Sequence, residues 1–259
     1  MMIDMRGMVS LVTGAGAGIG GAIAVRLAQE GAAVVVADMD ESGGTETVRQ
    51  IESGAGQAAF VSADVAAEAG VRRMAAFAEQ HFGGLDVLVN NAGGAPEPYF
   101  PEAEPEHWER TLDVNLLGVM LGTQFGIRAM RTRGGGAIVN ISSMAGIGYG
   151  AYDAPEYAAS KAGVVRLTAA LAHLKEEADI RVNCICPGWV ETPTVQRALS
   201  SMSSEEKAAL PFPPPGVLIQ PGEIAEAVLM FVGDDTLAGR VMVWPDGEAR
   251  RLVPVDARY

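Results

Sequence analysis

The stretch VSLVTGAGAGIGGAIAVRLAQEGAAVVVAD, residues 9–38, decides the fold. Its opening run, VSLVT (9–13), and its closing run, AVVVAD (33–38), are short, apolar and rich in β-branched residues, the pattern of strands buried on both faces. Between them GIGGAIAVRLAQEG places Ile23 and Leu27 on one helical face and ends at Gly31, a residue suited to the left-handed cap of a helix. Strand, helix and strand in so short a span make a parallel pair joined by a right-handed crossover.

The same alternation extends outward. AAFVSAD (58–64), LDVLVNN (85–91), AIVNIS (137–142) and IRVNCIC (180–186) read as further buried strands, and EAGVRRMAAFAEQHFGG repeats the helix design with Gly83 as its stop. These units predict an α/β protein: a doubly wound parallel sheet of about seven strands, flanked by helices on both faces, with all of 1–259 in one domain. Ligands of such sheets bind at the carboxyl ends of the strands, where the winding reverses. One composition break, MSSEEKAALPFPPPGVLIQPGE (202–223), carries prolines at 211, 213, 214 and 215, which forbid a continuing helix. It reads as a surface polyproline connector or, because it follows the sixth strand, as a substrate flap spanning about 191–221.

Composition excludes several partners. The net charge of -13 repels phosphate backbones and anionic lipid surfaces, so nucleic acid is not expected as a partner. The N-terminus, MMIDMRGMVSLV, has no basic region followed by a long apolar run, and no apolar stretch approaches spanning length, which predicts a cytoplasmic protein without a membrane segment. Cys184 and Cys186 alternate on one strand and should face one side as buried, reduced fillers; a metal pair would need further ligands, and no metal site is expected.

The glycine-rich turn TGAGAGIGGA lies where a strand feeds a helix. Backbone amides freed of side chains there approach a pyrophosphate, and the helix N-terminus adds partial positive charge. The pattern G-x-G-x-x-G fits at Gly16, Gly18 and Gly21. Asp38 closes the next strand at the spacing, roughly 20 residues, of a carboxylate that binds the adenosine ribose 2′-hydroxyl of a Rossmann-type site. A solvated strand end is the alternative for Asp38. Met39 follows it, and no Lys or Arg lies in the glycine loop to neutralise a 2′-phosphate, so NAD is expected rather than NADP.

TGAGAGIG, NNAG (90–93), NISS (140–143), YAASK (157–161) and PGWVET (187–192) occur in an order that resembles the compact, single-domain branch of the short-chain dehydrogenases/reductases, over almost the whole chain. The family's glycine register is Gly14, Gly18 and Gly20, a different reading of the same loop. The resemblance implies hydride transfer between NAD(H) and a secondary alcohol or ketone, with Asn115, Ser143, Tyr157 and Lys161 as the catalytic set. It also implies that Gly14, Gly16, Gly18, Ile19, Gly20, Asp38, Met39, Asp64, Val65, Asn91, Ala92, Gly93, Pro187, Gly188, Val190 and Thr192 hold the cofactor with Tyr157 and Lys161.

The residues themselves say why the pair could work. Alcohol oxidation requires a base at the hydroxyl, and tyrosine, with a reference pKa of ~10, needs a neighbouring cation to serve near neutrality. Tyr157 and Lys161 are four apart and so share one helical face. The resemblance implies Tyr157 as acid/base, Lys161 as the modifier of its pKa and a ligand of the nicotinamide ribose, Ser143 as the hydroxyl that holds the substrate oxygen, and Asn115 as the holder of a water linking the lysine to solvent. Strand alternation sends Ser142 and Ser143 to opposite faces, so one of the two enters the cleft. Tyr149 and Tyr152 precede Pro155, which favours a first helical turn; they pack beside the site or shape its substrate pocket. Tyr99, Phe100 and Trp108 pack their loop or touch ligand, and His107 reads as solvated.

The C-terminus departs from the family's usual DGG-like ending: GRVMVWPDGEARRLVPVDARY carries Pro245 and a basic, apolar tail, which puts the usual tetramer contacts in question. The part LIQPGEIAEAVLMFVGDDTLAGRVM resembles NAD-dependent 15-hydroxyprostaglandin dehydrogenases and bacterial relatives, some of them dimers. The expected partners are therefore a small-molecule alcohol or ketone and further copies of the chain, as dimer or tetramer. An NADP-dependent ketone reductase of the 3-oxoacyl reductase type and a non-catalytic NAD(H) sensor are the alternatives.

Overall fold

The computed structural model describes residues 3–148, 150–209 and 218–254. Its eight-stranded sheet has the order β3-β2-β1-β4-β5-β6-β7-β8. The strands are β1 (Val9–Thr13), β2 (Ala33–Asp38), β3 (Gln57–Ser62), β4 (Val87–Asn90), β5 (Gly136–Ile141), β6 (Ile180–Pro187), β7 (Val241–Trp244) and β8 (Arg251–Leu252). All neighbours pair parallel except β7 with β8. The expectation of about seven strands thus gains a short antiparallel edge strand, formed because the turn after Trp244 folds Arg251 back opposite Val243.

Ten helices are described: α1 (Gly18–Gln29), α2 (Glu41–Ser53), α3 (Glu68–Phe82), α4 (Pro105–Leu112), α5 (Gly118–Arg133), α6 (Pro155–Ala170), α7 (Leu174–Ala178), α8 (Pro193–Ser201), α9 (Ser204–Ala209) and α10 (Pro221–Gly233). Alternation along the strands assigns them to faces. Val34 and Val36 join Ile23, Leu27, Ile51 and Phe231 beneath α1, α2 and α10, whereas Val35 and Ala37 join Val71, Met74, Phe125 and Met130 beneath α3 and α5. Cys184 and Cys186 face Val164 of α6; their sulfurs stand 3.8 Å apart, buried and reduced as expected. Gly83 ends α3 with φ of +87°, and Pro155 occupies the first turn of α6.

Winding reverses between β1 and β4, so the carboxyl ends of these strands flank a crevice. A buried polar chain braces its floor: Asn90 donates to Thr123 (3.2 Å) and Asn140 (2.9 Å), and Asn140 donates to Thr168 (3.0 Å). Between α4 and α5 the helix widens into one π turn, Asp113–Leu117, where Gly118 N–H reaches back to the Asp113 carbonyl. Tyr149, prolines 211, 213, 214 and 215 of the expected flap, and the end of the tail lie outside the described residues. The flanks of the flap are joined, because Ile219 N donates to Trp189 O (2.9 Å) and Glu191 N to Ile219 O (2.8 Å).

Candidate active site

A cleft of about 820 Å³ runs across the carboxyl edge of the sheet. Its first wall is the glycine loop. A Cβ on Gly14 would meet the Ala92 Cα at 2.9 Å, and one on Gly20 would meet the Gly14 carbonyl oxygen at 2.1 Å, whereas one on Gly21 would meet nothing closer than 3.5 Å. Close packing therefore requires the register Gly14, Gly18 and Gly20, with φ of +57° at Gly18, and leaves Gly21 free. Asn91 fastens the loop by donating to the Thr13 (2.8 Å) and Gly14 (3.1 Å) carbonyls, and the Thr13 hydroxyl accepts the Asn91 and Ala92 amides.

This wall fits a dinucleotide. No side chain caps the N-terminus of α1 and no acidic residue stands in its first turn, so its amide donors suit an anionic pyrophosphate. Asp38 lines the cleft at the end of β2 and accepts the Gly16 amide (2.7 Å), placing carboxylate oxygens beside the loop. Gly14, Gly16, Gly18, Ile19, Asn91, Ala92, Gly93, Pro187, Gly188, Val190 and Thr192 also line it. Gly20, Met39, Asp64 and Val65 do not. Gly20 packs beneath the loop, Met39 is exposed, and Val65 packs against Gly118. Asp64 accepts from Arg110 at 3.0 Å and from the Ala66 amide. Burial alone would raise the Asp64 carboxyl, but those two bonds outweigh it and hold it low.

Ser143, Tyr157 and Lys161 converge where β5 and β6 end. The Ser143 hydroxyl accepts the Ala145 amide at 3.1 Å and lines the cleft together with the Tyr157 phenol, whose ionisation it favours. Ser142 lines the cleft as well, contrary to the expectation that one serine alone would enter it, but its hydroxyl is occupied, donating to the Lys161 carbonyl at 2.8 Å. Lys161 is buried; its ammonium donates to the Ile141 carbonyl (3.0 Å) and stands 5.5 Å from the Tyr157 ring centroid. One expectation changes here. Burial, with Tyr152 close by, pushes the Tyr157 phenol above its ordinary range, against the lowering effect of Ser143, and burial brings Lys161 down to about 8. Spacing puts the cation beneath the ring, while desolvation, invisible in the spacing, works against ionisation of both groups.

Asn115 lies off the cleft in the π turn, but a Cβ on Gly93 would meet its Oδ1 at 2.6 Å and the Lys161 Nζ at 3.0 Å, so Gly93 alone separates the two side chains. Asn115 exchanges bonds with Gly94, accepting its amide (3.0 Å) and donating to its carbonyl (2.7 Å), and also donates to the Thr111 carbonyl (2.8 Å). Tyr152 stacks on Tyr157 with ring centroids 6.2 Å apart and lines the cleft; Phe100 and Trp108 meet edge-on outside it. Those two rings border a separate recess of about 260 Å³ that Glu156 also lines, and both Glu156 carboxylate oxygens are buried without a partner among the described residues. His107 only meets the Pro96 carbonyl.

Sequence reasoning missed Asp246. It lies on the turn after β7, accepts the Trp189 amide at 2.7 Å and occupies the space where a Gly188 Cβ would stand, 2.2 Å from its Oδ1. The pair is 57 residues apart, and only the adjacency of β6 and β7 joins them. Among the described residues no group of three or more His, Cys, Asp or Glu could hold a metal, and no helix is long and apolar enough to cross a membrane.

The family model for short chain dehydrogenases matches residues 8–203. The chain is 39% identical to the cis-4-hydroxycyclohexanecarboxylate dehydrogenase of Sinomonas cyclohexanicum over 87% of this chain and 89% of that one. It is 37% identical to the cyclohexanol dehydrogenase of Acinetobacter sp. (strain SE19), over 88% of each. A solved 7α-hydroxysteroid dehydrogenase, in complex with NADH and 7-oxo glycochenodeoxycholic acid, superposes with a TM-score of 0.85 at 31% identity, over 96% of this chain and 97% of that one. With its glycine loop and its serine, tyrosine and lysine brought to one cleft, the chain belongs to the short-chain dehydrogenases, nicotinamide-dependent oxidoreductases acting on CH–OH groups.

Proposed function

We propose that the protein is an NAD-dependent dehydrogenase of a hydrophobic secondary alcohol, reversible to the ketone. The observation that carries this is the convergence of Ser143, Tyr157 and Lys161 on a cleft whose other end is Asp38. Bound nicotinamide supplies the hydride acceptor or donor. Gly14, Gly16, Gly18 and Ile19 hold its pyrophosphate side, Asp38 takes the adenosine ribose hydroxyls and repels a 2′-phosphate, and Asn91, Ala92, Gly93, Pro187, Gly188, Val190 and Thr192 border the rest. Gly20 acts by letting the loop close; Met39, Asp64 and Val65 border the adenine end through the Arg110 bridge.

Ser143 holds the substrate oxygen and Tyr157 takes its proton as the hydride leaves. Lys161 binds the nicotinamide ribose and favours the phenolate, and Asn115 holds the path from Lys161 toward solvent. Residues 191–221 act as the substrate flap, and the chain works in the cytoplasm as a dimer or tetramer. The substrate class rests on the apolar walls Met144, Ile147, Trp189 and Val195, and on the cyclic alcohols for which the relatives are named.

The test follows NADH absorbance with NAD, then NADP, across secondary alcohols from polyols to steroids. NADH formation, a higher kcat/KM with NAD, and loss of turnover with retained NADH binding in Tyr157→Phe are expected. Silence across the panel with NAD bound, or an active Tyr157→Phe, overturns the reading.

A further inference from the structure

Four charged residues line the cleft among the described residues: Asp38, Asp40, Lys161 and Asp246. Their order follows the sheet. Asp38 and Asp40 follow β2 on one side of the winding reversal, Ser143 and Tyr157 stand above β5 and β6, and Asp246 follows β7 on the far side. A dinucleotide laid from Asp38 across the glycine loop has its reacting end at Tyr157, and Asp246, packed against Gly188 and Trp189, stands at that end, where nicotinamide and substrate meet. There it is accompanied by apolar walls: Met144, Ile147, Tyr152, Trp189, Val195 and Pro245.

Among the described residues, Lys161 is the one cation that lines the cleft. Lys161 is buried, bonded to the Ile141 carbonyl and beneath the Tyr157 ring. Arg197 of α8 is exposed and bends along its own helix to the Pro193 carbonyl (3.2 Å) and the Thr194 hydroxyl (3.4 Å). Arg250, on the same turn as Asp246, lies over the Trp244 ring at 5.0 Å and donates to the Glu223 carbonyl (3.4 Å). Asp246 is fixed in place by the Trp189 amide, leaving a negative charge beside a low-dielectric wall.

We infer that Asp246 is a specificity-determining residue that rejects anionic alcohols, so that the substrate is a neutral or cationic secondary alcohol and not a hydroxy acid. This rests on the dehydrogenase reading above. The discrimination is of the repulsive kind: a carboxylate on the substrate would sit near Asp246 without a countercharge.

The experiment compares kcat/KM for cyclohexanol, 4-aminocyclohexanol and cis-4-hydroxycyclohexanecarboxylate, the last being the anion for which one relative is named. The wild type is expected to favour the neutral alcohol over the acid by at least about fivefold, the scale of a like-charge repulsion over several ångströms. In Asp246→Asn, which keeps an oxygen for the Trp189 amide, the ratio should fall to within about twofold. Raising ionic strength should narrow the wild-type ratio in the same direction, a readout that does not depend on the variant folding. The acid being oxidised as well as the neutral alcohol, or a ratio unmoved by both Asp246→Asn and salt, overturns the filter alone. No NADH from any of the three, nor from the broader panel, overturns the dehydrogenase reading and the filter with it.

Discussion

Gly20→Ala and Gly21→Ala, adjacent and chemically identical changes, should have opposite effects. An alanine Cβ at 20 would lie 2.1 Å from the Gly14 carbonyl oxygen, 2.5 Å from the Asn91 Nδ2 and 2.8 Å from the Gly14 carbonyl carbon. That is more than about 1 Å inside ordinary contact. Neither neighbour can retreat freely, because Asn91 is bonded to the Thr13 and Gly14 carbonyls. Overpacking costs about 1–3 kcal/mol, and losing the Asn91 bond to Gly14 adds about 1 kcal/mol. The sum, about 2–4 kcal/mol, should lower the melting temperature by about 5–15 °C in a chain of this length. At 21 the new Cβ reaches only ordinary contact, 3.5 Å from the Ala15 carbonyl and the Thr47 hydroxyl. Replacing a helical glycine with alanine there should gain about 0.5–1 kcal/mol. Calorimetry with and without NADH reads both variants, and Gly20→Ala should also lose most of the shift that NADH produces. Equal melting temperatures for the two variants, or an undiminished NADH shift in Gly20→Ala, would refute the close-approach argument.

Burial holds Lys161 down at about 8 against an ordinary 10.5. Below about pH 8 both folded and unfolded lysines are charged and the desolvation cost is complete; above it the folded lysine loses its proton first, and the cost has vanished by about pH 10.5. Lys161→Met should therefore raise the melting temperature most near about pH 7 and progressively less toward about pH 10; a gain that grows with pH would contradict this. Glu156→Leu, replacing a buried carboxylate that has no hydrogen-bond partner among the described residues, should stabilise by about 1 kcal/mol or more, and a lower melting point would count against it. Ser142→Ala should cost about 1 kcal/mol through its lost bond to the Lys161 carbonyl while turnover persists, whereas Ser143→Ala, which loses its bond from the Ala145 amide at a similar cost, should also lose turnover. Matching kinetic losses in the two serine variants would undo their separation.

The six strands nearest the N-terminus were legible because each is a short apolar run, most of them rich in β-branched residues, alternating with helical stretches. β8 was not, since Arg251 and Leu252 carry no periodicity and pair only because a turn returns them to β7. The choice of Ser143 over Ser142 came from the family resemblance, since alternation could not say which of the two to take, and Tyr157 with Lys161 came from helical phase together with that resemblance. Glycine register was ambiguous in the sequence, because two patterns overlay one loop; the distance from residue 20 to the Gly14 carbonyl separates them. Asp246 was out of reach for a different reason. Its partners, Gly188 and Trp189, are distant in the chain, and the seventh strand's position beside the sixth is a property of the assembled sheet. Spacing also says nothing about desolvation, which is why the tyrosine's upward shift emerges only from the packed cleft.

The π turn at Asp113–Leu117 amounts to a one-residue insertion retained inside a helix. Each residue advances an α-helix by about 100°, so everything after the turn is rotated by that angle from the course that α4 began. Trp108 can thus face the outer recess while Phe125 and Met130, further along, face the sheet. Within the turn the Asn115 side chain donates to the Thr111 carbonyl, one turn back. Removing one residue from 113–117 would repair the helix and put the two halves of the molecule's longest α segment out of phase with their neighbours. A length change is therefore a greater hazard at this point than almost any change of side chain.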